Sequence, residues 1–123
     1  MQEIFEEYES KMLYGAIIWT PMLLADTLTA ANMREAGFSD PRLRQHWDQD
    51  RILGRLLSQT LNLKESIAWD VYLLYPPNHV WDQALPPSPL FWMHQLDEDA
   101  ALLLDPPRLK QQIRTILERA AFQ

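Results

Sequence analysis

The chain has 123 residues, a length that normally folds as one domain and buries about two thirds of the unfolded surface, so we predict a single domain over residues 1–123. Hydrophobic residues make up 47% of the sequence, which excludes bulk disorder, and a formal charge of -6 argues against nucleic acid as a partner. There is no cysteine, so disulfides, thiolate metal sites and thiol redox chemistry are excluded.

The first ten residues, MQEIFEEYES, are acidic and lack the basic start and apolar run of a secretory signal. The longest apolar stretch, residues 16–25, is interrupted by Thr20 and Pro21 and is much shorter than the roughly 20 residues of a membrane span. We therefore expect a cytoplasmic protein without a membrane segment.

Helical spacing of apolar residues predicts an amphipathic first helix that buries Ile4, Phe5, Tyr8 and Met12. The run LYGAIIWT, residues 13–20, is typical of a strand covered on both faces, as in a parallel sheet. A short helix capped by Asp26 or Thr27 should follow and end near Ala36. The polar stretch FSDPRLRQHWDQD, residues 38–50, is predicted to be a connection.

Asp48 or Asp50 should cap the next helix, whose apolar face is Ile52, Leu53, Leu56, Leu57 and Leu61. AWDVYLLY, residues 68–75, is the strongest strand pattern, and HVWD, residues 79–82, is predicted to return as its antiparallel partner. Residues 90–96 should form a further strand. Asp105 and the two prolines after it open a terminal helix with the buried stripe Leu109, Ile113, Ile116, Leu117 and Ala120.

This order predicts an α/β fold in which helices flank a small mixed sheet. Two strands that are joined by a helical crossover should lie parallel, with a right-handed connection.

Catalytic motifs are absent from the sequence. The three histidines, His46, His79 and His94, never share the i, i+4 spacing that places two metal ligands on one helix face. No serine lies in a nucleophile elbow, and the three glycines form no phosphate-binding loop. We therefore predict a protein that is not an enzyme and that holds neither a metal nor a cofactor.

The tryptophans allow two interpretations. An indole buries a large area and needs a partner for its N–H, so packing in the core or at its rim is one of them. The other is a pocket for a flat or cationic ligand. Its walls would be Trp47, Trp69, Trp81, Trp92, His94 and Asp70. A third hypothesis, an acidic protein that blocks a basic partner, rests on net charge alone.

Four segments resemble a bacterial group of thioredoxin-like proteins: IIWTPMLLAD, DPRLRQHWDQDRILG, AWDVYLLYPPNHVW and FWMHQL, which lie between Ile17 and Leu96. In such a domain a central strand delivers a Cys-x-x-Cys pair to the start of the first helix, which would correspond to residues 2–12 here. The resemblance thus implies that the dithiol-bearing strand is missing. It also implies a cis-proline near Trp69 and Asp70, where the sequence has none.

The resemblance therefore implies a non-catalytic thioredoxin-like protein that acts through binding or protein–protein interaction. Loss of a central strand would leave residues 14–20 and 69–75 without a shared neighbour, and unpaired strand groups promote association. Apolar residues are dense between Leu85 and Leu104. We therefore expect a homodimer with this segment in or beside the interface.

Overall fold

The computed structural model describes residues 2–8, 12–20, 40–77 and 79–121. The chain divides into two compact units, Met1–Ile52 and Leu53–Gln123. Helix and strand are mixed in it, so the predicted α/β class is confirmed. The described strands form two sheets of two strands each, where one small mixed sheet was predicted.

The first unit contains helix α1 (Gln2–Glu7) and the parallel strands β1 (Gly15–Trp19) and β2 (Leu43–Trp47). The register runs from Gly15 opposite Leu43 to Trp19 opposite Trp47. α1 and β1 confirm the prediction, although Met12 lies outside the helix and is exposed and Ala16 on β1 is exposed. The helix predicted between Asp26 or Thr27 and Ala36 lies outside the described residues.

Strand β2 corrects the sequence prediction, which made residues 38–50 a connection. Leu43 is buried and Gln45 and Trp47 are half-buried, whereas Arg44 and His46 are exposed, so the strand has the alternation of a half-covered edge. The polar Gln45 at a covered position hid this alternation. Its side-chain oxygen accepts a hydrogen bond from the Trp19 indole N–H at 3.0 Å, which explains why a polar residue is tolerated there.

Arg42 anchors α1 to the start of β2. Its guanidinium donates to the carbonyl oxygens of Phe5 and Tyr8, each at 2.5 Å, and lies 4.8 Å from the centre of the Phe5 ring. Asp40 accepts from the same guanidinium at 2.7 Å. The last carbonyls of a helix lack partners within the helix, so Arg42 acts as a side-chain cap for α1.

The second unit contains most of helix α2 (Ile52–Leu61), the antiparallel strands β3 (Val71–Leu74) and β4 (Phe91–His94), a 3₁₀ turn (Ala100–Leu102) and helix α3 (Pro106–Ala121). The predicted cap of α2 is confirmed at Asp48, whose Oδ1 accepts from the Ile52 N–H at 2.9 Å. The register of β3 and β4 runs from Val71 opposite His94 to Leu74 opposite Phe91.

The core of the second unit is formed by Ala68, Met93, His94, Leu109, Ile113 and Ala120. The stripe predicted on α3 is thus largely buried, and Ile116 and Leu117 are half-buried. On α2 the residues with least exposure are Gly54 and Ser58 rather than the predicted leucines, and Ile52 is 57% exposed. A Cβ at Gly54 would lie 2.8 Å from the Ile67 Cγ2, so glycine allows the close approach.

Residues 79–82 are not the partner of β3, which corrects a further prediction. They are irregular and exposed, and β4 takes the place beside β3. Pro76 and Pro77 follow β3 and have no N–H to donate, so a hairpin ladder cannot continue through them. Further along, the hydroxyl of Tyr75 donates to the Pro87 carbonyl and that of Thr60 to the Pro86 carbonyl, which holds the proline-rich segment against the unit.

Candidate functional site

The six residues predicted to line a pocket are divided between the units. Trp47 is the last residue of β2 in the first unit, where its indole N–H donates to the Gln49 side chain at 2.6 Å. The other five belong to the second unit. A site in that unit therefore has to be built from Trp69, Asp70, Trp81, Trp92 and His94.

Trp69 and Asp70 lie just before β3. The half-buried Trp69 donates its indole N–H to Glu65 Oε2 at 3.1 Å. Asp70 has a φ of 51°, in the left-handed region, and its carbonyl accepts from the Gln95 N–H at 3.0 Å. Because this residue leaves the extended conformation, the strand alternation begins at Val71, and Trp69 is not the first member of the face formed by Val71 and Leu73.

Trp92 and His94 share one face of β4, with ring centroids 5.5 Å apart and planes inclined at 42°. His94 is 0% exposed. Its Nδ1 accepts from the Leu96 N–H at 3.1 Å, so the proton lies on Nε2, which donates to the Asp99 carbonyl at 2.8 Å. Both ring nitrogens are thus used to hold the turn that follows β4, and His94 presents neither to a ligand.

Trp81 is the most accessible of these tryptophans, at 48% exposure, and its indole N–H donates to the Gln83 carbonyl at 2.7 Å. Val80 beside it is 69% exposed. An exposed aromatic residue with its polar atom already satisfied offers mainly apolar area to a partner.

An open cavity of about 450 Å³ lies at the C-terminal end of α2. The helix ends at Leu61 and is followed by Asn62, which has a φ of 56°, and the Leu63 N–H donates to the Ser58 carbonyl in the pattern of a Schellman motif. The Ser58 hydroxyl donates in turn to the Glu65 carbonyl. The lining residues are Arg55, Ser58, Gln59, Asn62, Leu63, Lys64, Glu65 and Ser66.

None of these eight residues is a tryptophan, so the cavity and the predicted aromatic pocket are different places. Glu65 is the link between them, because it lines the cavity and accepts from the Trp69 indole. Sequence reasoning missed the cavity. The only signal available was Asn62 after the last apolar residue of the helix, which predicts a helix end but no concave surface.

The histidines do not assemble a metal centre. His46 and His79 are exposed, and the His79 ring lies 5.4 Å from the ring of Tyr75. Within the residues that the structure describes, no group of three or more histidine or carboxylate side chains is arranged to hold a metal ion.

The electrostatics of both units are mild. Burial raises the pKa of the Tyr75 hydroxyl, and burial with the nearby Asp70 carboxylate raises that of Tyr72. In the first unit, hydrogen bonds from the Arg42 side chain and backbone lower the pKa of Asp40. These shifts have structural causes and do not by themselves mark a reactive group.

Comparison of the chain with protein-family models, with curated proteins and with solved structures finds no match. In the described ranges, no helix is both long and apolar enough to cross a membrane.

Proposed function

We propose that this chain is a non-catalytic thioredoxin-like protein that acts through protein–protein interaction, first of all with a second copy of itself. One observation carries the proposal. Five large apolar side chains between residues 80 and 103 of the second unit are exposed: Val80, Trp81, Leu85, Leu90 and Leu103. Contiguous exposed apolar area is typical of an interaction surface, and we infer that these side chains contribute to one.

The pairing of the strands supports the thioredoxin-like part of the proposal. A thioredoxin-like domain combines a parallel strand pair joined by a crossover with an antiparallel pair followed by a helix. β1 and β2 form the first kind of pair, and β3, β4 and α3 follow the second pattern. β1 therefore has a parallel neighbour that the sequence analysis did not predict.

The apolar segment predicted to lie in the dimer interface, residues 85–104, contains both buried and exposed side chains. Met93 is 0% exposed and belongs to the core, and Phe91 and Trp92 are half-buried. Leu90 and Leu103 are 54% and 52% exposed and remain the strongest candidates for contact. Burial of such side chains on association contributes roughly 25 cal/mol per Å² of apolar surface before the costs of association are subtracted.

Sedimentation equilibrium at micromolar concentration tests self-association. We expect a dimer mass that falls toward the monomer on dilution, and a dissociation constant raised by at least tenfold in Leu90→Ser with Leu103→Ser. Ile52→Ser is the matched control, because Ile52 is equally exposed but lies outside the segment. A monomer mass across a tenfold dilution range would overturn the proposal.

The absence of catalysis needs its own test. A hydrolase screen and a metal analysis of the purified protein should give no turnover and no stoichiometric metal. Bound zinc in a one-to-one ratio would contradict the prediction that the protein holds no metal, and turnover that disappears in His46→Ala would show that the protein is an enzyme. His46 suits this test because it is exposed on β2 and its replacement leaves the buried face of the strand unchanged.

A second candidate function is the binding of a flat or cationic small molecule. The half-buried Trp69 favours it, because its indole lies beside the Glu65 carboxylate, and an aromatic face with a nearby carboxylate suits a cation. Tryptophan fluorescence titrated with cationic aromatic compounds should show saturable quenching that Trp69→Ala removes and Trp47→Ala retains. Quenching that never saturates, or that survives Trp69→Ala, would exclude a site at Trp69.

A further inference from the structure

One edge of β3 presents backbone groups without a partner in the described chain. The His94 carbonyl accepts from the Leu104 N–H at 2.8 Å, so His94 directs its backbone groups away from β3. In an antiparallel pair, opposite residues either bond each other or both point away. Val71 lies opposite His94 and Leu73 lies opposite Trp92. The N–H and C=O groups of Val71 and Leu73 therefore form the outer edge of the sheet.

Apart from its length of four residues, this edge lacks the features that normally prevent strand pairing. Natural edge strands are protected by lysine, by proline or by a bulge, and β3 has the sequence Val-Tyr-Leu-Leu. All four residues are only half-buried. Val71 and Leu73 each present one N–H and one C=O at this edge. These groups can bond the equivalent groups of an identical strand that runs in the opposite direction.

Charge favours a second copy over a charged partner strand. No side chain of β3 carries a charge that could select an acidic or basic peptide. Asp70, the nearest carboxylate, would lie opposite Leu74 of the second copy when two strands pair about Tyr72. The two Asp70 residues would then be four positions apart along the strands, or about 14 Å, which exceeds the Debye length of about 8 Å at physiological salt.

We propose that β3 pairs antiparallel with β3 of a second copy about a two-fold axis through Tyr72. Val71 of each chain bonds Leu73 of the other through both backbone groups, which gives four hydrogen bonds and one sheet of four strands across the dimer. This pairing rests on the self-association proposed above and adds a backbone contact to it, since Leu103 bridges His94 at the opposite edge of the two-stranded sheet. The two Tyr72 residues face each other in a pair without hydrogen bonds, where Cα atoms approach to about 4.5 Å.

The lack of native cysteine makes a disulfide reporter unambiguous. Tyr72→Cys places one thiol per chain at the axis. The two Cα atoms would be about 4.5 Å apart, within the range of roughly 4.4–6.8 Å that disulfides adopt. Leu74→Cys is the matched control, since Leu74 lies on the same face of β3 as Tyr72 and is also half-buried. Its Cα atoms would be about 14 Å apart, beyond disulfide reach.

Both variants are oxidised at micromolar concentration, and the covalent dimer is measured on a denaturing gel beside the sedimentation mass. We expect near-complete crosslinking of Tyr72→Cys and at least tenfold less of Leu74→Cys. A protein that sediments as a dimer but crosslinks equally at both positions, or at neither, overturns β3 pairing and leaves self-association intact. A protein that sediments as a monomer overturns both.

Leu73→Pro provides an independent measurement. The Leu73 N–H points away from β4, so proline at this position removes a bond of the dimer and none of the β3–β4 ladder. We expect a monomer whose near-ultraviolet circular dichroism matches that of the parent. A Leu73→Pro variant that keeps this spectrum and the parent dissociation constant contradicts the pairing. If Leu73→Pro loses this spectrum, the variant has not folded as the parent does, and crosslinking at Tyr72 then tests the pairing.

Discussion

Replacement of His94 tests whether one buried imidazole holds the turn between β4 and the 3₁₀ turn. The ring is fully buried and bonds the Leu96 N–H and the Asp99 carbonyl. Each bond contributes about 1 kcal/mol net. Loss of a buried side chain of this size adds about 1–2 kcal/mol for lost contacts and the remaining cavity. We therefore expect His94→Ala to lower the free energy of unfolding by about 3 kcal/mol, a large part of the 5–15 kcal/mol typical of a domain.

Three variants at this position separate bonding from volume. His94→Phe keeps the ring volume but removes both bonds, so it should cost about 2 kcal/mol. His94→Asn can place its amide oxygen near the position of Nδ1 and restore the bond from the Leu96 N–H. It should therefore be about 1 kcal/mol more stable than His94→Ala.

Urea unfolding followed by circular dichroism measures these differences. With a urea m-value of about 2 kcal/mol per M, a loss of about 3 kcal/mol lowers the midpoint by about 1.5 M. If His94→Phe unfolds at the parent midpoint, the two hydrogen bonds contribute nothing and the reasoning fails. A urea midpoint of His94→Ala within about 0.3 M of the parent midpoint would show that the ring is not tightly packed.

Other predictions concern packing, ionisation and the α1 anchor. Gly54→Ala should destabilise the protein by about 1 kcal/mol in urea, because the clash with Ile67 outweighs the gain of about 1 kcal/mol in helix propensity; a more stable variant contradicts the packing. In an alkaline titration at 295 nm, Tyr72 should ionise above the ordinary value of 10.0, and Asp70→Asn should lower its pKa; no change on that substitution excludes the electrostatic contribution. Because the folded-state pKa of Tyr72 is raised, the contribution of this phenol to stability is complete below about pH 10. That contribution is lost as the pH rises through the folded-state pKa. Arg42→Lys should raise the pKa of Asp40 toward 3.8, measured by carbon-detected NMR, because lysine cannot donate to both carboxylate oxygens as Arg42 does through Nε and Nη2; an unchanged pKa contradicts it. The low folded-state pKa of Asp40 means that its contribution to stability is present above the unfolded value and is lost as the pH falls through the folded one.

Elements with a strong apolar period could be predicted from the sequence, and those that depend on distant contacts could not. α3 was predictable because proline opens it and its stripe recurs every three or four residues. β2 was not, because Gln45 at a covered position is stabilised by the Trp19 indole, 26 residues away in sequence. The burial of Gly54 on α2 likewise depends on Ile67 and Ala68, which no local pattern reveals.

The candidate site was harder to predict than the fold, because similar residues have different local roles. Trp-Asp occurs three times in the sequence. In the first pair Asp48 caps α2 through the Ile52 N–H. In the second, Asp70 adopts a left-handed conformation and its backbone bonds Gln95. The third pair lies in an exposed irregular segment.

The indole hydrogen bonds explain why these tryptophans do not require a shared pocket. A buried indole N–H usually has an acceptor. Trp47 and Trp81 each find one two residues later, and Trp69 finds one four residues earlier. Because the indole N–H groups of these three tryptophans are satisfied locally, no hydrogen bond draws their rings together, and what they offer a partner is apolar area. Exposed apolar area suits a protein partner better than it suits a small cationic ligand. For this reason we propose self-association before ligand binding.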